Sequence, residues 1–110
     1  MGNAMTPEQT VMQLIIGAGQ AKKLAFDAIQ AARDNHIETA DQLLEQATKA
    51  LAGAHQIQSD ALRADAATQQ QPTLLMVHAQ DHLSMAMTAM ELGREIVAIY
   101  RRLSENTNDK

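Results

Sequence analysis

The chain is 110 residues long, enough for one domain with one modest core and too short for two. Hydrophobic residues make up 45% and aromatic residues 2%, the net charge is −4, and there is no cysteine. This excludes a disulfide scaffold and a thiolate metal site, suits a reducing cytoplasm, and gives no basic stripe for nucleic acid. No apolar run approaches the roughly 18 residues a membrane span needs, so no membrane insertion is expected.

Phe26 and Tyr100 are the only large aromatic side chains. Sandwiches and barrels draw on aromatic and β-branched residues. Alanine, leucine, glutamine and methionine dominate instead, and these favour helix. The expected fold class is therefore all-α. The N-terminus lacks the basic-then-apolar layout of a signal peptide, and residues 1–4 (MGNA) read as a remnant ahead of a native start at Met5.

Punctuation divides the chain into three helices, over about 7–33, 36–64 and 73–105. In Thr6-Pro7-Glu8-Gln9, Thr6 can cap and Gln9 can reach back, with proline in the first turn, where its missing N–H is harmless. Residues 34–38 (DNHIE) read as a break in which Asn35 caps the second helix and Glu38 occupies its third position. Residues 66–71 (AATQQQ) form a polar connection, and Pro72 opens the third helix. The tail from Asn106 should fray. Short connections make sequential helices antiparallel, giving an up-down-up three-helix bundle.

The second helix carries one seam at bundle spacing, Ile37, Ala40, Leu44, Ala47, Leu51, Ala54 and Ala61, interrupted by Gln58. Small residues on the first helix, Gly17 among them, signal close approach. The third helix is different, because it has two adjacent seams. One runs Met76, Ala79, Leu83, Ala86, Met90, Gly93, Val97, Tyr100; the other runs Leu75, His78, His82, Met85, Ala89, Leu92, Ile96, Ile99, Leu103. This face is wider than two helices of the same chain are expected to cover, which implies packing against further copies of the chain, the alternative being a single well-buried helix. The seven methionines read as core filler.

Within this helix lies VHAQDHL, residues 77–83, whose Asp81 is the only charged residue between Asp65 and Glu91. At 100° per residue, His78 and His82 lie one turn apart on one face, with Asp81 about 60° to one side. A carboxylate withdrawn from water needs a partner or a cation. Residue types and spacing allow four readings. His78 can be a nucleophile; His78, Asp81 and His82 can ligate a transition metal in a non-catalytic bundle; one histidine can be a base oriented by Asp81; or all three can be satisfied buried groups. His36 falls at the inter-helix break and reads as exposed. His55, near Gln58, reads as a structural hydrogen-bonding residue within reach of the third helix.

Three stretches carry a resemblance: IGAGQAK at 16–22, AHQIQS at 54–59 and VHAQDHL at 77–83. On these, over nearly its whole length, the chain resembles the enzyme IIA components of the lactose/cellobiose (also diacetylchitobiose) branch of the sugar phosphotransferase system. The resemblance implies a homotrimer of three-helix subunits. It implies that Nε2 of His78 accepts a phosphoryl group from the phosphocarrier HPr and passes it to a cysteine of the cognate IIB component. The membrane component IIC would then take up and phosphorylate a disaccharide. It further implies that Asp81 meets its two copies on the trimer axis around one Mg2+, a structural ion, and that Gln80 and His82 are supporting residues. The chain departs from the family at Ser84-Met85, where Met-Thr is common, which touches packing beside the site and not His78 itself.

Overall fold

The computed structural model describes residues 5–108, so the expectation for residues 1–4 lies outside the described residues. Three helices make up the fold: α1 (Pro7–Arg33), α2 (Ile37–Thr68) and α3 (Leu74–Asn108). The molecule is a rod of 63 × 27 × 17 Å.

α1 begins with a complete capping box. Thr6 Oγ1 accepts the Gln9 N–H at 3.1 Å, and Gln9 Oε1 accepts the Thr6 N–H at 2.9 Å. Pro7 stands in the first turn, and Glu8 lies near the positive end of the helix dipole.

The α1–α2 break differs from the sequence expectation. Asn35 does not cap α2; it adopts the left-handed conformation at φ 66° and closes α1. Its N–H bonds the Ala32 carbonyl at 3.0 Å, and the His36 N–H bonds that of Ala31 at 2.8 Å. This is the Schellman pattern, in which asparagine tolerates the backbone that glycine usually supplies. The N-cap of α2 is His36, with no side-chain cap.

α2 also runs to Thr68, past the expected end near residue 64, because alanines at 64, 66 and 67 sustain the helix. It closes in the same way, with Gln69 at φ 56° and the Gln70 N–H bonded to the Asp65 carbonyl at 2.9 Å. Pro72 lies outside α3. Thr73 is the residue that starts it, its Oγ1 accepting the Met76 N–H at 3.1 Å.

Both connections reverse the chain. The start of α1 (Val11, Leu14) therefore meets the end of α2 (Ala54, Ile57, Ala61) and the start of α3 (Met76, Ala79, Leu83). At the other pole Ala28 and Ala32 meet Ala40, Val97 and Tyr100. The architecture is the up-down-up bundle.

Its interior is made of small side chains. α1 buries five alanines besides Val11 and Leu14, and α2 buries Ala40, Ala47 and Ala54. Only a few large apolar side chains, Leu14, Leu83 and Val97 among them, are fully buried, and many others end up outside. The first seam of α3 is the buried one, from Met76 through Ala79, Leu83, Ala86 and Met90 to Val97. Along the second seam Leu75, Met85, Leu92, Ile99 and Leu103 are roughly half exposed, Ile99 at 58%. A single chain thus leaves an apolar stripe running most of the length of α3.

Candidate functional site

The site is a single helical turn on the outer face of α3, held from beneath. Thr73 sets where the helix starts. Met76, Ala79 and Leu83 are anchored against Val11, Leu14 and Ala54. With Ala79 and Leu83 fully buried, the side chains at 78, 81 and 82 must point away from the bundle.

His78 is exposed and His82 half-buried. Their Nε2 atoms are 3.1 Å apart. The rings meet edge to face, with centroids 4.7 Å apart and planes at 84°. This is the only hydrogen bond that either ring makes among the described residues.

Asp81 is exposed and forms no ion pair among the described residues. Gln80 is half-buried on the flank of α3 about 200° around the helix from His78, and has no side-chain hydrogen bond there.

These placements separate the four readings. No group of three or more His, Cys, Asp or Glu side chains able to hold a metal ion forms among the described residues. The single-chain transition-metal site through His78, Asp81 and His82 is thus not assembled, since the carboxylate departs about 60° from His78 and about 100° from His82. Asp81 does not orient either imidazole by a hydrogen bond. Nor is the trio buried within the chain, because no polar or charged residue is buried among the described residues. What remains is a paired, accessible imidazole on a convex surface.

His55 does not join the pair. It is exposed on α2 and lines an open hollow with Thr48, Leu51, Ala52 and Gln56. His36 is exposed at the α2 cap. A cavity of about 210 Å³ lies at the adjoining pole, lined by Pro7, Thr10, Ala61, Asp65, Gln70 and Met76 among others, and does not include His78. Two side-chain ties between helices escaped the sequence reading: Arg94 donates to Thr48 Oγ1 at 2.7 Å, and Arg101 pairs with Asp41. Each joins residues that are distant in sequence and lack a local pattern.

Comparison with known proteins bears directly on this geometry. The family described as "PTS system, Lactose/Cellobiose specific IIA subunit" matches residues 9–101. The lichenan-specific phosphotransferase enzyme IIA component of Bacillus subtilis is 37% identical over 99 residues, covering 89% of this chain and 90% of that one. The crystal structure of the cellobiose-specific enzyme IIA from Bacillus anthracis superposes with a TM-score of 0.85 at 34% identity, over 93% of this chain and 95% of that one. The IIA(Chitobiose) chain in the solution structure of its complex with HPr, from Escherichia coli, gives 0.83 at 36% identity over 91% and 98%. The chain belongs to the lactose/cellobiose-specific IIA subunits of the sugar phosphotransferase system, phosphotransfer proteins within a transferase system.

Proposed function

We propose that His78 is the phosphoryl-carrying residue, loaded by phosphorylated HPr and discharged to a cysteine of the cognate IIB component. The observation that carries this reading is the exposed imidazole of His78, paired through Nε2 with His82 and presented on the outer face of a helix that a partner protein can approach. The solved complex between a chitobiose IIA and HPr supports HPr as the donor. In loading, the Nε2 lone pair forms the new N–P bond while the donor's N–P bond breaks and its electron pair returns to the donor nitrogen. In discharge, the cysteine sulfur forms an S–P bond while the Nε2–P bond breaks and its electron pair returns to Nε2. Such chemistry depends mainly on positioning and on stabilising charge at the phosphoryl oxygens. An exposed imidazole suits a carrier, which must release what it accepts. The IIC component then takes up the sugar, a disaccharide of the lactose, cellobiose or diacetylchitobiose type. No helix among the described residues is long and apolar enough to cross a membrane. As a IIA subunit of this system, the chain acts on the cytoplasmic side.

The working unit is a homotrimer. The apolar stripe of α3, with Leu92, Ile99 and Leu103, is what copies of the chain would cover, and the same contact would bring copies of Asp81 toward one axis. One exposed carboxylate without a partner cannot make a cation site alone; three from three chains fit a hard, oxygen-ligated ion such as Mg2+. Asp81 would hold that ion, which neutralises three like charges and takes no part in transfer. Gln80 and His82 are supporting residues.

Reconstitution of the relay tests the reading. With HPr, this chain and IIB present, phosphate should reach the IIB cysteine, and the His78→Ala chain should break the relay at the first step. A relay running undiminished through His78→Ala would overturn the assignment.

A further inference from the structure

The Nε2–Nε2 contact fixes more than proximity. Two imidazole nitrogens 3.1 Å apart share one proton, so one ring donates and the other accepts. If His78 supplied the proton, its Nε2 would be blocked. If His82 supplies it, His78 must carry its own proton on Nδ1, and its Nε2 keeps a lone pair. In histidine sites a carboxylate or carbonyl usually selects the tautomer. Among the described residues neither ring has such a partner, and Asp81 points elsewhere.

We propose that His82 is a positioning residue, donating its Nε2–H to Nε2 of His78 and so holding His78 in the tautomer that can accept phosphate. This rests on the phosphocarrier reading above and deepens it. The donated N–H occupies the direction in which the N–P bond will form. As phosphorus arrives, the Nε2–P bond forms, the donor's N–P bond breaks and its electron pair returns to the donor nitrogen. His78 keeps its Nδ1 proton, and the His82 N–H transfers its hydrogen bond to a phosphoryl oxygen. The two rings meet edge to face rather than in a parallel stack, and His82 belongs to none of the buried clusters, so it can turn aside without unpacking the core. The two backbones stay fixed, because Ala79 and Leu83 are fully buried beneath them.

Side-chain ¹⁵N–¹H correlation spectra of the intact chain test this, alongside the initial rate of labelling by phosphorylated HPr. The wild type should show His78 protonated at Nδ1. In His82→Phe the His78 proton should move to Nε2 and the labelling rate should fall about tenfold, the size of effect one such hydrogen bond supports. His82→Gln, whose amide N–H replaces the donor from the same helical position, should restore both, with unchanged helicity in each variant. A wild-type His78 protonated at Nε2, or a tautomer unmoved in His82→Phe, overturns the proposal. Failure of the wild type to be labelled at His78 at all would instead sink the phosphocarrier reading, and the spectra would still report the pairing.

Discussion

A Cβ placed on Gly17 would lie 3.1 Å from the Cβ of Ala54, with the Ala54 Cα at 3.7 Å. These residues belong to the first two sequence signatures, IGAGQAK and AHQIQS, and their contact sets how closely α1 approaches α2 beneath the site. Ala54 in turn sits in the cluster that anchors Met76, Ala79 and Leu83. The spacing of two helices and the seating of the histidine turn therefore share one tight crossing.

Gly17→Ala should accordingly destabilise the chain by about 1–3 kcal/mol, as overpacking of a backbone crossing does. Gly19→Ala provides the contrast, because a Cβ there meets nothing within 4 Å. Helix propensity alone should make it neutral or up to about 1 kcal/mol stabilising. Urea unfolding of both variants checks the pair. A loss at Gly19 equal to that at Gly17 would show that something outside the chain approaches that face.

Gln69 holds a left-handed backbone, φ 56°, at the end of α2. Glycine adopts that conformation without a Cβ clash. Gln69→Gly should raise stability by about 0.5–1 kcal/mol, read as an increase in Tm, and leave the helical content unchanged. A lower Tm would mean that the Gln69 side chain contributes more than its backbone strain costs.

The stripe on α3 and the carboxylate beside it make opposite predictions about assembly. Leu92→Glu or Ile99→Glu should turn trimers into helical monomers, because each replaces an apolar side chain worth about 1.5–3 kcal/mol on burial with a charge. Asp81→Leu should keep the proposed trimer, since it would exchange three repelling carboxylates and the ion proposed between them for apolar contact. Analytical ultracentrifugation with and without a chelator distinguishes the two. Monomers from Asp81→Leu would mean that the ion itself holds the subunits together, and an intact Ile99→Glu trimer would place the interface elsewhere.

Much of this was legible in the sequence where the signal was local or periodic. Thr6 and Gln9 announced their capping box, and both seams of α3 could be read from their spacing. The i, i+4 separation of His78 and His82 puts their rings together, whereas spacing also lets Asp81 share their volume, and only the structure leaves it outside the pair. The errors were at helix ends. Asn35 serves equally well as an N-cap or as a left-handed terminator, and only the backbone bonds from Asn35 and His36 decide between them. Pro72 drew the start of α3 one residue early, because proline is visible from its type whereas the cap at Thr73 shows only through its bond to Met76. Exposure of the second seam follows from the volume of the first. An interior of alanines leaves no room for Leu92 or Ile99, so those side chains remain outside a single chain. The shared proton between His78 and His82 had no counterpart in spacing.

The central claim is that one nitrogen, Nε2 of His78, carries the phosphoryl group. Mass spectrometric site mapping after incubation with phosphorylated HPr tests it most directly, at alkaline pH to preserve a phosphohistidine. One phosphoryl group per chain on His78, acid-labile and absent from His78→Ala, is the predicted result. Undiminished labelling of His78→Ala, or phosphate mapped to any other residue of the wild type, would contradict it.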